Sequence, residues 1–353
     1  MLFFSKKTTI AESDILRGAT DHHSHILPGV DDGVETMDEA LHILATYEAA
    51  GVKTLWLTPH IMEDIPNTPQ KLEARFLELK AAYTGNITLH LAAEYMIDNH
   101  LRKLLQEIKN SPSLGKREYP QGEGDKTIEP QGVISPTNNS PASEGVVLPE
   151  AFQETPPRFR GEVVEDRRGE KSPKECLIGP TMEEGTETNK LRHSQGEGRW
   201  HEPSEVTEGS NTTEEHLRSE GSNTLLPIGS KGNHLLVETS YYNPPMRLRE
   251  TLRQIKSLGY HPLLAHPERY MYMDNNEYIE LHNEGVKFQL NLPSICGAYG
   301  STVKKRALWL LKNNLYDAIG SDTHCEEGVK FIMGNKLEEK YISTLLMLKN
   351  STL

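Results

Sequence analysis

Cysteine is scarce: the 353-residue chain has three, Cys176, Cys296 and Cys325, without CxxC spacing or a paired framework. This excludes a disulfide-stapled secreted scaffold and a cysteine zinc module, and it fits a reducing compartment, so a cytoplasmic location is expected. Long apolar runs are also missing. No stretch approaches the roughly 20 residues of a membrane helix, and Met1-Leu2-Phe3-Phe4-Ser5-Lys6-Lys7 lacks the apolar core of a signal peptide, so no membrane insertion is expected. Clustered positive charge is the third absence. With 38 Lys and Arg against 51 Asp and Glu, and no basic patch, the chain is not expected to bind nucleic acid, which demands gathered cations.

Aromatic and apolar residues are thin in one region. Ser111 to Thr224 holds 13 of the 27 glycines, 11 of the 21 prolines and four of the 23 aromatics, so it has little with which to build a core. It carries a net charge of −9 out of the chain's −13, which makes the acidity mostly a property of this segment. Gln-Gly-Glu-Gly recurs at Gln121 and Gln195, and no hydrophobic period is sustained. Such a composition cannot offset its conformational entropy, and the segment reads as a disordered insertion. Its histidines, His193, His201 and His216, are not proposed as ligands. The chain thus divides into a first part, 17–110, an insertion, 111–224, and a second part, 225–353.

Outside the insertion, short apolar runs alternate with amphipathic stretches, the signature of βα units around a parallel sheet. Strands are expected over Arg17 to His25, Lys53 to Pro59, Ile87 to Ala93, Asn233 to Glu238, His261 to Ala265, Val286 to Leu290 and Leu315 to Gly320. Helical periods cover Thr36 to Ala50, Gln70 to Tyr83, Ile97 to Lys109, Pro244 to Leu258 and Thr302 to Asn313.

The polar residues of interest gather at strand ends. In Asp21-His22-His23-Ser24-His25-Ile26-Leu27-Pro28-Gly29-Val30-Asp31-Asp32-Gly33, His23 and His25 share one face of an extended chain, and the following turn returns two carboxylates toward them. His60, Glu94, His266, Asp322 and His324 follow other strands, at the end of a βα sheet where active sites sit. Five histidines and three carboxylates, His23, His25, His60, His266, His324, Asp32, Glu94 and Asp322, exceed the ligand set of one zinc ion, so more than one metal is expected. The ligand mixture suits manganese, zinc or iron.

These motifs, with Thr58-Pro59-His60, Ala93-Glu94, Ala265-His266-Pro267-Glu268-Arg269-Tyr270 and Ser321-Asp322-Thr323-His324, resemble the PHP superfamily, and within it the CpsB/CapC/YwqE-type manganese-dependent protein-tyrosine phosphatases. The resemblance covers about Arg17 to Asn110 and Leu225 to the C-terminus. It implies a distorted seven-stranded (β/α) TIM-like barrel with up to three divalent metal ions, Mn2+ foremost. It further implies that His23, His25, Glu94 and Asp322 share one ion, that Asp32, His60, His266 and His324 serve the others, and that Arg269 binds phosphate. A guanidinium fork suits that task on physical grounds as well.

The implied activity is hydrolysis of phosphotyrosine on proteins. The implied partner is a bacterial tyrosine kinase controlling capsule or exopolysaccharide synthesis. Two other readings are a small-molecule phosphatase of the histidinol-phosphate type and an idle metal-binding partner; a homo-oligomer is left open. One departure stands out. Where the family has a second arginine after the last histidine, this chain offers only Lys330, and Cys325 lacks the Cys-x5-Arg cradle of a cysteine phosphatase.

Overall fold

The computed structural model describes residues 6–110, 225–349 and 353. The chain divides into two units, Met1–Arg117 with Lys171–Leu353, and Glu118–Glu170; the first is described below. The insertion expected over Ser111 to Thr224, with its three histidines and Cys176, lies outside the described residues.

A short antiparallel pair joins β1 (Lys7–Thr9) to a late strand, Lys336–Glu338. The other named strands pair in parallel. β2 (Thr20–Asp21), β3 (Thr54–Leu57) and β5 (Thr88–Leu91) form a sheet in the order β2-β3-β5. β4 (His60–Ile61), β6 (Glu94–Met96), β7 (His234–Glu238), β8 (His261–Ala265), β9 (Lys287–Asn291) and β10 (Ala318–Gly320) form a second, in the order β10-β9-β8-β7-β6-β4. The result is a curled, parallel sheet in a mixed α/β fold.

The two sheets are joined by backbone bonds at both edges. Pro59 has no N–H to donate, and the ladder breaks between β3 and β4. Ala92 N still donates to Leu57 O at 2.9 Å and Glu94 N to Pro59 O at 3.1 Å, so pairing resumes on the same path. At the other edge His22 N donates to Ile319 O (3.0 Å), Asp322 N to His23 O (2.8 Å) and His25 N to Thr323 O (2.9 Å), with a parallel bridge between Ser24 and Thr323.

The expected opening strand, Arg17 to His25, is regular only at Thr20–Asp21. The reason is local. Asp21 Oδ1 accepts from His23 N (3.1 Å) and from Ser321 N (2.9 Å), so a side chain replaces a ladder carbonyl there. The helix expected from Pro244 begins at Leu248, because Arg247 sits at φ 65°, outside the right-handed helical region.

The helix Met37–Ala49 starts where Thr36 Oγ1 accepts from Glu39 N, and it buries Ala40, Ile43, Leu44 and Tyr47. A fully buried leucine contributes roughly 1.5–3 kcal/mol, and Leu44→Ala would cost about 2–5 kcal/mol. Tyr47 carries this packing into the loop after β10: its hydroxyl lies 2.5 Å from Thr323 Oγ1. β7 is buried at all five residues, which explains its continuous Leu235-Leu236-Val237 run. Gly320 is required by close approach, since a Cβ there would stand 2.5 Å from both His23 Cβ and Gln289 Nε2.

Candidate metal centre

Strand register gathers the ligands. His60 opens β4 directly opposite Glu94, which opens β6, while Glu238 ends β7 opposite Met96. His266 follows β8, and Asp322 and His324 follow β10; His266 (φ 34°) and Asp322 (φ 52°) hold left-handed backbone that side chains rarely adopt. His23 and His25 flank the Ser24 bridge, with their Nε2 atoms 3.0 Å apart.

Glu94 is the centre of the cluster. Its Oε2 lies 3.2 Å from His23 Nε2, 3.3 Å from His25 Nε2 and 3.2 Å from His60 Nδ1, and its Oε1 lies 3.2 Å from His266 Nε2. Asp322 Oδ1 lies 3.4 Å from His23 Nε2 and 3.6 Å from His25 Nε2. Asp32 Oδ1 lies 3.3 Å from His60 Nε2 and 3.6 Å from His324 Nε2. All eight residues singled out as ligands therefore meet in one place. Four overlapping groups have their ligand atoms within 4.8 Å of one another: His25, Asp32, His60 and His324; His23, His25 and Glu94; His23, His266 and Asp322; His60, Glu94 and Glu238.

Three imidazoles have their tautomer set by what the other nitrogen does. Gln289 spends its amide N–H on Leu290 O (2.6 Å), so its Oε1 accepts from His23 Nδ1 at 2.9 Å. Asp31 Oδ2 accepts from His25 Nδ1 at 2.8 Å, and the Asp322 carbonyl accepts from His324 Nδ1 at 2.9 Å. A proton held on Nδ1 leaves the Nε2 lone pair facing the cluster, the arrangement of a metal-ligating histidine.

The donor set fits divalent ions. Both Glu94 oxygens are buried without a hydrogen-bond partner among the described residues, an arrangement that costs free energy unless something positive satisfies them. Two ligands bound to one ion at about 2.1 Å stand roughly 3.0–3.4 Å apart, the spacing seen around Glu94. Burial pushes Glu94 upward, but His23, His25 and His266 hold it well below the usual carboxylate range. Burial and His60 oppose a second proton on His25, yet Asp31 and Glu94 raise it to about 10, so without a metal the Nε2 position carries a proton that a bound ion would displace. Burial likewise opposes a charge on His60, and Glu238, Asp32 and Glu94 override it.

Arg269, in the 3-10 turn Pro267–Arg269 after β8, reaches the same mouth. Its Nη1 donates to Asp322 Oδ2 at 3.1 Å, and Asn291 Nδ2 donates to the same oxygen at 2.9 Å, which leaves Asp322 Oδ1 toward the histidines. Lys330 does not join it. Its ammonium pairs with Glu326 at 2.6 Å and is largely exposed. Cys325 is buried and N-caps the helix Glu326–Gly334 through its backbone position only.

Several contributors escaped sequence reasoning. Glu238 obeys the same rule as Glu94, an acid closing an apolar strand, and could have been found that way. Asp31 and Asp32 are adjacent in a turn, and nothing in sequence separates the one that orients His25 from the one that faces His60. Gln289 and Asn291 carry no periodic signal. A cavity of about 290 Å³, lined in part by Lys231, His234, His261 and Lys287, lies at the opposite ends of β7 to β9, away from the four ligand groups found among the described residues.

A family profile described as capsular polysaccharide synthesis, CpsB/CapC, matches residues 19–121 and 189–348. The chain belongs to the CpsB/CapC family. The family match skips 122–188, inside the segment set apart by composition. Among individual relatives, the tyrosine-protein phosphatase CpsB of Streptococcus pneumoniae is 31% identical over 106 residues, 28% of this chain and 44% of that protein. CapC of Staphylococcus aureus is 28% identical over 131 residues, 35% of this chain and 51% of that one. The chain thus spans about half the length, or less, of the curated relatives it matches. The solved structures of YwqE from Bacillus subtilis and CpsB from Streptococcus pneumoniae, described as unique metal-dependent tyrosine phosphatases, match at TM-score 0.51 and 15% identity, over 95% of this chain and 96% of that one. At this identity the likeness speaks to fold.

Proposed function

We propose that this CpsB/CapC-family chain is a metal-dependent protein-tyrosine phosphatase, with His23, His25, Asp32, His60, Glu94, Glu238, His266, Asp322 and His324 holding divalent ions, manganese foremost. The observation that carries the reading is Glu94: one buried carboxylate ringed by four imidazoles, beside an arginine whose guanidinium is tied to a further ligand, Asp322. Bound divalent ions would supply a water ionised near neutral pH and positive charge against phosphate oxygens.

The chain's own residues do the rest. Asp31, Gln289 and the Asp322 carbonyl orient the imidazoles, and Arg269 offers N–H donors to a phosphate at the mouth. A tyrosine phenolate leaves with little acid help, so no general acid is demanded of the site. The backbone bonds at both sheet edges support a closed, distorted (β/α)7 barrel made of residues 17–110 and 225–353, interrupted in sequence by the insertion 111–224. No helix among the described residues is long and apolar enough to cross a membrane, in keeping with action in the cytoplasm.

The relatives' names support a phosphotyrosine protein as the substrate class, and the family description supports a role in capsule synthesis; the proposed partner is a bacterial tyrosine kinase controlling capsule or exopolysaccharide synthesis. Rates of the manganese-loaded full chain on a phosphotyrosine peptide, a phosphoserine peptide and histidinol phosphate test this. Preference for the phosphotyrosine peptide is expected; preference for histidinol phosphate would contradict it.

A further inference from the structure

Arg269 is held in a slot that the metal ligands do not make. Its guanidinium carbon lies over two rings, 4.1 Å from the Tyr241 centroid and 4.2 Å from that of Tyr299. The three residues come from successive neighbours in the sheet: Tyr241 from the loop after β7, Arg269 from the turn after β8, Tyr299 from the segment after β9. The slot is braced. Met271 N donates to Tyr241 O at 2.6 Å, Asn291 Nδ2 reaches the Tyr299 hydroxyl at 3.4 Å, and Tyr241 packs near His266, with centroids 5.9 Å apart.

A cation over two ring faces is attracted by both quadrupoles, which restrains its rotation away from them. Asp322 holds the Nη1 edge at 3.1 Å. A guanidinium held by two rings and one carboxylate has little freedom left, so its remaining N–H donors have a set direction before phosphate arrives, which reduces the ordering cost of binding.

We propose that Tyr241 and Tyr299 are positioning residues that clamp Arg269 for phosphate binding, an inference that rests on the phosphatase reading for its substrate. The ring faces carry this role and the hydroxyls do not, so phenylalanine should replace tyrosine and leucine should not.

The test is a double-mutant cycle on the manganese-loaded full chain, read first by calorimetric binding of inorganic phosphate and then by hydrolysis of a phosphotyrosine peptide. Metal content and melting temperature accompany each variant. Tyr241→Leu and Tyr299→Leu should each weaken phosphate binding roughly 5- to 30-fold, while Tyr241→Phe and Tyr299→Phe stay within about threefold. In an Arg269→Ala background the leucine substitutions should add nothing, because the group they position is gone. Equal losses with and without Arg269, losses in the phenylalanine variants matching those of leucine, or no phosphate binding by the parent would overturn the proposal. A parent that shows the coupled phosphate binding yet leaves phosphotyrosine intact would sink the phosphatase reading and keep the clamp.

Discussion

Asp31 Oδ2 lies 2.8 Å from His25 Nδ1 and also accepts from His60 N at 3.0 Å, so one carboxylate orients one candidate ligand and anchors the strand that carries another. Asp31→Asn removes the charge and allows an amide N–H to face His25, which would favour the wrong tautomer. Metal affinity measured by chelator competition should fall roughly 10- to 100-fold, the usual cost of losing such a support. An unchanged affinity would show that His25 is oriented by other contacts.

Replacing His23 and His25 by alanine should remove metal and activity together, since both present Nε2 to Glu94 at 3.2 and 3.3 Å. Metal analysis of the purified variant checks it; full metal content would exclude these two residues as ligands.

Arg269→Ala should leave metal stoichiometry unchanged, with some loss of melting temperature because Asp322 loses a buried partner, while hydrolysis of a phosphotyrosine peptide by the folded, metal-loaded variant falls by roughly 10²- to 10³-fold, the scale for losing one stabiliser of transition-state charge. Arg269→Lys should recover part of the rate, because charge returns without the fork. Parental rates in the alanine variant would free Arg269 of this role.

Legibility followed the physics of each position. The strands that bury both faces, such as His234–Glu238 and His261–Ala265, announced themselves as apolar runs, and histidines and acids at their ends stood out against them. The helix Met37–Ala49 was readable from Thr36 and the spacing of Ala40, Leu41 and Leu44. Gln289 and Asn291 were not, because a polar residue inside a buried strand is chosen by its three-dimensional neighbours, His23 and Asp322, which lie far off in sequence. The helices Asn275–Asn283, Glu326–Gly334 and Glu339–Leu348 were also missed. They are short, and in Glu339–Leu348 the apolar residues run on beyond the one buried position, Leu345, so no single face stands out.

A pH dependence of stability is expected from His234, at the opposite end of β7 from Glu238. Burial, then the charges of His261 and Lys287, lower it to about 4, against about 6.5 in an unfolded chain. Between these values the unfolded chain takes up a proton that the folded chain refuses, so this contribution is complete above about pH 6.5 and is lost as pH falls toward 4. His234→Gln should shrink the drop in melting temperature between pH 7 and pH 4.5; an unaltered drop would place the acid sensitivity elsewhere.

Replacing 111–224 by a short Gly/Ser linker should leave a folded, metal-binding protein, because loop length costs little entropy once a loop is long. Circular dichroism and metal content decide it. An insoluble or metal-free product would make the segment structural.

The most direct test is a manganese titration of the metal-stripped full chain, with bound metal and phosphotyrosine peptide hydrolysis measured on the same samples. More than one ion per chain is predicted, with hydrolysis appearing as the sites around Glu94 fill and disappearing on chelation. Hydrolysis that persists in the stripped chain, or full metal loading without any hydrolysis of phosphotyrosine, would contradict the account.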